Sequence, residues 1–421
     1  MIQKDYEILR ELAKQYAEIC AMPFNAEYKR LWHKLNGLKG ERPMYIIDEL
    51  PWHELNDKGE LTLHCEDRVC KMIEQELRRL IYRYNHFHDD FVFEPYFYMP
   101  MDINGCNFAN EKGLCIDMGI DLDEDTQGGE DGNNVVSHAY RDQFEYEEDL
   151  EKLRVPEVYV REEETKLRET IANEAIGDIL TVRMDGFTPW NSIWDIMVMV
   201  RSMENLMCDM VTNEDLIHKT VRKLMDVHLG TLKQLNEKNL LSWPQRQVHS
   251  CGAWSDELPT EPNAQGGFQS KDVWTYGMGQ ILYTVSPERH NEFEFEYAKE
   301  WYSQFGLGYY GCCEPLEDRL DFVKQIPNLR KLSASAWVKD YDHYSEQLEG
   351  KYVMSFKPAP ANILNSAWDA ERLEKQLTGY RNSAEKFGNT CEFTLKDIST
   401  CDRNPERLTE WSKIMRKVVE K

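Results

Sequence analysis

Four strand–helix pairs follow one another without interruption in the last third of the chain. Each strand candidate is a short run of apolar and aromatic residues followed by an amphipathic helical stretch; the four candidates are LGYYGCCEP, LRKLSASAW, KYVMSFKPAP and CEFTLKDIST. Successive β–α units need right-handed crossovers, which place their strands parallel in one sheet. No glycine-rich dinucleotide or phosphate fingerprint follows any of these strands. The pattern therefore predicts an α/β fold, and specifically a (β/α)8 TIM barrel.

The first 90 residues have a different pattern from the rest of the chain. They show helical periodicity with polar turns, interrupted by one short extended piece at 42–51. Alternating strand and helix patterns begin with FVFEPYFYMP at 91–100. We therefore predict an N-terminal helical extension, residues 1–90, packed on a barrel formed by residues 91–421. A loop insertion is expected near 253–272, where proline, glycine, asparagine and glutamine replace any periodic pattern.

Charge and cysteine content narrow the choice of partners. A net charge of −25 repels phosphate backbones and anionic lipid headgroups, so neither nucleic acid nor a membrane is an expected partner. The first 20 residues form a mixed-charge amphipathic stretch and lack the features of a secretory signal. We therefore expect a cytoplasmic protein, in which the eleven cysteines are buried thiols, nucleophiles or metal ligands rather than disulfide partners.

Histidine and cysteine lie at the ends of predicted strands. His249 and Cys251 end the segment RQVHSCG, and Cys312 and Cys313 end LGYYGCC. Active sites of (β/α)8 barrels lie at the C-terminal ends of the strands, and imidazole with thiolates is a ligand set that zinc prefers. A His-x-Cys pair in an extended segment also places both side chains on one face. We therefore predict a zinc ion held by some of these four residues.

Two details of this site stay open at the level of sequence. Cys312 and Cys313 are adjacent, so in a regular strand only one of them faces the barrel mouth. Cys401, at the end of the last predicted strand, is an alternative ligand to His249 or Cys251. Glu314, which follows the cysteine pair, is the predicted catalytic residue and either orients a ligand or donates a proton.

Other polar and aromatic residues near predicted strand ends indicate a substrate pocket. The substrate-binding candidates are Glu94, Asp185, Trp190, Tyr276, Trp337 and Lys357. Their flat apolar walls and few charges suit a small, weakly charged molecule better than a polyanion. Acidic groups beside aromatic faces would also tolerate a methylammonium group.

Several segments resemble, in order, those of the uroporphyrinogen decarboxylase superfamily. They are GDILTVRMDGFTPWNSIWDIM (177–197), SPERHNEFEFEYAKEWY (286–302), KYVMSFKPAPANIL (351–364) and LKDISTCDRNPERL (395–408). The resemblance covers the chain from about residue 90 onwards and implies the (β/α)8 barrel of that superfamily.

Departures from the decarboxylase pattern favour the zinc- and corrinoid-dependent methyltransferase branch. The decarboxylases have an N-terminal arginine-rich segment for a tetracarboxylate substrate, and the nearest stretch here, residues 42–55, carries acids instead. The methyltransferase branch holds zinc with His-x-Cys on one strand and a cysteine on the last. Cys312 or Cys313 matches the first of these cysteines and Cys401 the last. His249 lies one strand earlier than the family histidine, so either the histidine has moved or the match is a coincidence.

The predicted function is therefore corrinoid-dependent methyl transfer. The resemblance implies that a methyl group moves between a small substrate, an aryl methyl ether or a methylamine, and a corrinoid on a partner protein, with zinc as Lewis acid. The ether is slightly favoured. Two alternatives are decarboxylation of a tetrapyrrole-like or other carboxylate, and a non-catalytic barrel that binds a ligand. The sequence leaves the oligomeric state open, with a homodimer as one option.

Overall fold

The computed structural model describes residues 2–106, 124–127 and 137–421 of the chain. Its helices are α1 (Ile2–Cys20), α2 (Phe24–Asn36), α3 (Arg68–His86), α4 (Glu162–Ile176), α5 (Ile193–Val200), α6 (Met203–Thr212), α7 (Glu214–Glu237), α8 (Pro287–His290), α9 (Glu296–Tyr302), α10 (Leu320–Val323), α11 (Tyr341–Leu348), α12 (Ala370–Lys386) and α13 (Glu406–Glu420). Its strands are β1 (Met44–Ile47), β2 (Tyr96–Pro100), β3 (Ile103–Asn104), β4 (Glu124–Gln127), β5 (Ser137–Tyr140), β6 (Tyr159–Val160), β7 (Thr181–Asp185), β8 (Trp190–Asn191), β9 (Gln247–Val248), β10 (Cys251–Gly252), β11 (Trp274–Gly277), β12 (Leu307–Tyr310), β13 (Leu329–Ser335), β14 (Val353–Lys357) and β15 (Cys391–Leu395).

A seven-stranded parallel sheet organises the molecule, with the strand order β1-β15-β14-β13-β12-β11-β8. The four strands β12 to β15 are neighbours in sequence order and pair in parallel, which confirms the strand–helix repeat predicted for the last third of the chain. A second parallel pair is formed by β2 and β7. The chain is thus an α/β protein with a parallel sheet and many helices, an arrangement consistent with a (β/α)8 barrel.

The position of β1 differs from the helical pattern that the sequence indicates for residues 1–90. β15 pairs with Met44–Ile47, so one strand of the main sheet lies inside the segment predicted to be a helical extension. All four residues of β1 are buried, as expected for a parallel strand covered on both faces. A four-residue apolar run has too little periodicity to separate a strand from a turn between helices.

The segment around His249 also differs from the prediction. It does not end a parallel strand: β9 and β10 pair antiparallel, and His249 and Ser250 form the turn between them, with φ angles of 45° and 66°. The period-two argument that placed His249 and Cys251 on one face therefore does not apply. The turn nonetheless carries His249 to the same end of the sheet as the cysteine pair.

Side chains alternate in direction along β14 and β15, and this alternation places Lys357 and Lys396 at that end of the sheet. Ser355 and Thr394 both contact the Cys251 thiol, with their hydroxyl oxygens 3.4 Å and 3.2 Å from Sγ. Lys357 and Lys396 come two residues later on the same segments and therefore point to the same side, one layer nearer the C-terminal ends.

Candidate functional site

Cys312 and Cys313 lie just beyond the end of β12 and form the centre of the candidate site. Their sulfur atoms are 3.7 Å apart, and Cys312 is buried while Cys313 is exposed. The Cys313 sulfur lies 3.6 Å from Oδ2 of Asp397, which follows β15. Among the described residues, Cys312, Cys313 and Asp397 form the group of potential metal ligands whose donor atoms all lie within 4.8 Å of one another.

The ammonium group of Lys396 is surrounded by several atoms that can accept a hydrogen bond from it. Its Nζ is 3.5 Å from the Cys312 sulfur, 3.6 Å from Oδ2 of Asp397 and 3.0 Å from Oε1 of Glu49. It is also 3.4 Å from Nε2 of His249. This set of sulfur, oxygen and nitrogen atoms therefore surrounds a positive charge.

The Cys312 thiol is held in an environment that favours its ionised form. The neighbouring Cys313 thiol and the Lys357 and Lys396 ammonium groups lower the pKa of Cys312, against the effect of burial. The pKa of Cys313 is raised, because its thiol hydrogen-bonds to Cys312 and is partly buried. Metal ligation and nucleophilic attack both use the thiolate. Of the two cysteines, Cys312 is the one that ionises more readily.

The structure separates His249 and Cys251 from the group of three. His249 contacts Lys396, which in turn contacts Cys312. Cys251 lies in the interior, where burial raises the pKa of its thiol. Cys401 is also elsewhere, with its sulfur 3.1 Å from the Glu54 carboxylate. The geometry therefore groups the cysteine pair with Asp397 and not with the predicted histidine, with Cys251 or with Cys401.

Three stacked rings lie beside Lys396, whose Nζ is 3.4 Å from Nε2 of His249. The Trp190 and Tyr276 rings are parallel to within 9° at 6.1 Å between centroids, and Tyr276 also stacks on His249 at 4.8 Å. Burial, with help from the two nearby lysines, lowers the pKa of His249 well below its usual value, so its imidazole is neutral. We call Trp190, Tyr276 and His249 the aromatic ladder. It brings together two predicted substrate residues and one predicted metal ligand.

Glu314 lies directly behind the cysteine pair. Its carboxylate accepts hydrogen bonds from the backbone N–H groups of Cys312 at 2.9 Å and Gly279 at 3.4 Å. Burial raises the pKa of Glu314 to about 7. A carboxyl group that titrates near neutrality and fixes the cysteine backbone suits either role predicted for it.

Lys357 is the most isolated charge of the site. Its side chain is buried, and its Nζ has no hydrogen-bond partner among the described residues. Its Nζ lies 5.0 Å from the centroid of the Tyr309 ring. Burial alone would lower the pKa of Lys357, but Cys251, Cys312 and the carboxylates of Glu49 and Asp397 raise it, so the group stays charged.

The remaining predicted substrate residues do not line the same space. Glu94 accepts hydrogen bonds from Lys29 at 2.8 Å and from the Trp254 indole at 3.2 Å, and Asp185 is paired with Arg246. Both lie on the side of β2 and β7. Trp337 follows β13 and is 66% exposed, so it is a surface residue and not an enclosing wall.

Sequence reasoning missed the charged partners of the cysteine pair, namely Lys396, Asp397 and Glu49. Each of them comes directly after a buried strand: Lys396 and Asp397 follow β15, and Glu49 comes two residues after β1. A polar residue immediately beyond a buried parallel strand is the available signal. For Glu49 the signal depended on recognising β1 as a strand.

Comparisons with known proteins show a fold likeness. No protein-family model and no curated protein sequence match this chain. Among solved structures, the chain is similar to a methyltransferase from Methanosarcina mazei, with a TM-score of 0.52 and 13% sequence identity over 92% of this chain and 97% of that one. At this level of identity the likeness establishes the arrangement of helices and strands. No helix in the described part of the chain is long and apolar enough to cross a membrane.

Proposed function

We propose that this protein is a methyltransferase in which Cys312, Cys313 and Asp397 hold a zinc ion at the C-terminal end of the sheet. The observation that carries the proposal is the convergence of two sulfur atoms and a carboxylate within 4.8 Å. The likeness to the methyltransferase fold over nearly the whole of both chains adds support. We extend the proposal to the fold: the parallel strands close as an eight-stranded barrel of the uroporphyrinogen decarboxylase superfamily.

The three side chains fit the chemistry of zinc. Two thiolates and a carboxylate are ligand types that zinc accepts, and three protein ligands leave one position for a substrate, as in catalytic zinc sites. Exposed Cys313 and Asp397 open the site to the outside, while Cys312 is buried. When bound, zinc supplies a Lewis acid for the heteroatom that loses or receives the methyl group.

The protein's own residues prepare this site for transfer. Lys357 and Lys396 favour the Cys312 thiolate, and Glu314 fixes the backbone that carries it. The aromatic ladder supplies flat faces for a methylated substrate, either an aryl methyl ether or a methylamine. A corrinoid on a partner protein as the other methyl carrier rests on the resemblance of sequence segments described above.

Decarboxylation of a small carboxylate is the second candidate function. The buried Lys357 favours it, because an ammonium group without a hydrogen-bond partner can hold a carboxylate. Decarboxylation assisted by Lys357 alone uses no zinc, so a protein that binds no zinc would favour this candidate over methyl transfer.

The test is zinc content, measured after purification without added metal. The wild-type protein should hold about one zinc per chain, and the Cys312→Ser/Cys313→Ser double variant should lose it, because one carboxylate cannot complete a zinc site. Cys208→Ser, which removes an exposed thiol on α6, is the matched control and should keep the metal. Stoichiometric zinc in the double variant would refute the proposal. Methyl transfer from methoxyarenes or methylamines to a reduced corrinoid protein is the companion assay.

A further inference from the structure

A cleft separate from the cysteine site lies between α1, α3, the segment around β2 and the residues just before and after the His249 turn. Its volume is about 220 Å³. Seven of its sixteen lining residues are aromatic, including Trp52, Phe91, Tyr98 and Trp254. We call it the arginine cleft, because Arg79, Arg83 and Arg246 also line it.

Two of these three guanidinium groups already have carboxylate partners. Arg83 lies 3.0 Å from Asp89, and Arg246 is paired with Asp185. Arg79 differs, since among the described residues no carboxylate lies within ion-pairing distance of it. Its guanidinium carbon lies 4.9 Å from the centroid of the Trp52 ring. Burial lowers the pKa of Arg79 despite the nearby charge of Glu76. Arg79 is thus a half-buried cation that forms no ion pair with any residue that the structure describes.

The size and walls of the cleft define what can bind there. A cavity of about 150 Å³ is enough to hold a benzene molecule. The arginine cleft therefore accommodates one aromatic ring with a small substituent, and it is too small for a tetrapyrrole. Aromatic walls favour a flat ligand, and a guanidinium group favours a carboxylate, which it binds through two parallel hydrogen bonds.

We propose that the arginine cleft binds a small aromatic carboxylate, with Arg79 holding the carboxylate group. Asp48 lines the cleft, and the next residue, Glu49, contacts Lys396 of the cysteine site at 3.0 Å. The cleft and the cysteine site are thus connected through the adjacent residues Asp48 and Glu49. The proposal rests on the proposed function only in making a methylated ligand of this class the methyl donor.

Binding can be tested without turnover, by calorimetric titration of the full-length protein with benzoate and with 4-methoxybenzoate. Arg79→Gln should weaken binding of both by about tenfold or more, because it removes a charge-assisted pair of hydrogen bonds. Arg68→Gln is the matched control: Arg68 begins the same helix, is exposed and pairs with Glu164 at 2.7 Å, so binding should not change.

Glu76 gives a second test with the opposite sign. Glu76 lines the same cleft, and a carboxylate ligand should bind equally or more tightly when Glu76→Gln removes a like charge. Benzyltrimethylammonium, a cation of similar size, should bind worse than benzoate. Tighter binding of the cation, weaker benzoate binding in Glu76→Gln, or unchanged benzoate binding in Arg79→Gln would overturn the proposal.

Two controls keep the outcome interpretable. Arg79→Lys retains the charge but loses the paired geometry, so it should bind benzoate more tightly than Arg79→Gln and less tightly than wild type. Thermal unfolding of each variant shows whether it folds. Because zinc content is measured separately, failure of the carboxylate proposal leaves the methyltransferase proposal standing, and the reverse also holds.

Discussion

Two buried lysines, one towards each end of the parallel sheet, have opposite surroundings. Lys331 lies near the N-terminal end of β13, and its Nζ donates to Oε2 of Glu392 and to the carbonyl oxygen of Gly252, both at 2.7 Å. Lys357 is the last residue of β14 and is also buried, yet its Nζ has no hydrogen-bond partner in the described part of the chain.

The difference assigns different roles to the two ends. A buried charge costs several kcal/mol unless a partner offsets it, and the fold supplies that partner for Lys331. At the C-terminal end, Lys357 has no hydrogen-bond partner among the described residues, so the free-energy cost of burying its charge remains. A bound ligand or the Cys312 thiolate can offset that cost. Parallel barrels generally keep stability at the N-terminal end of the strands and chemistry at the C-terminal end. The two lysines fit that division.

The largest effect on stability is expected when Lys331 loses its partner. Glu392→Gln leaves a fully enclosed ammonium without its counter-charge and should lower the free energy of unfolding by about 3–5 kcal/mol. Urea unfolding monitored by circular dichroism measures the change. A Lys331→Met/Glu392→Leu double variant should recover most of the loss. A loss in the double variant as large as in the single one would mean that packing, and not charge, explains the effect.

A pH-dependent effect is expected at Glu294, a buried carboxyl group 3.8 Å from Nε2 of His290, whose own pKa is lowered well below its usual value by burial and by Arg319. Tyr310 donates to the Glu294 carboxyl group at 2.8 Å, and burial raises the pKa of Glu294 to about 8. Between the unfolded pKa of about 4.3 and the folded value, only the folded state keeps the proton, so this group's contribution to stability falls as pH rises. Relative to wild type, Glu294→Gln should therefore gain stability as the pH rises from 4 to 9, with no gain at pH 4. Equal gains at both pH values would contradict this.

The smallest change in stability is expected at Lys357. Lys357→Met keeps the length of the side chain and removes a buried charge, so the free energy of unfolding should stay the same or rise by about 1 kcal/mol. In chelator-treated protein, the pH midpoint for alkylation of Cys312 should rise, because one of the charges that lower its pKa is gone. Peptide mass spectrometry separates Cys312 from the other thiols. A loss of several kcal/mol would show that Lys357 is a structural cation like Lys331.

The parts of the fold that were predictable are those with repeated local signals. Each of β12 to β15 is an apolar run followed by a helical stretch. β1 was not predictable in the same way, because four buried residues carry no periodicity. The turn at His249 was missed because positive φ angles at non-glycine residues leave little trace in the sequence.

The sequence predicted the kinds of residue at the candidate site, but not the full set of residues that meet there. Cys312, Cys313 and Glu314 follow directly from their place after a strand. Asp397 joins them only because β12 and β15 bring their C-terminal ends together across the sheet, a long-range relation that no local pattern encodes. Lys357 was named from the sequence, whereas its lack of a partner depends on every element packed around it.

The proposed zinc site is tested most directly by the zinc K-edge X-ray absorption spectrum of the purified protein. We expect one zinc with two sulfur ligands at about 2.3 Å and the remaining ligands oxygen or nitrogen, from Cys312, Cys313 and Asp397. In Asp397→Asn the two sulfur ligands should persist. A spectrum with nitrogen and oxygen ligands alone, or a protein that binds no zinc when the metal is supplied, would contradict a zinc site at the cysteine pair.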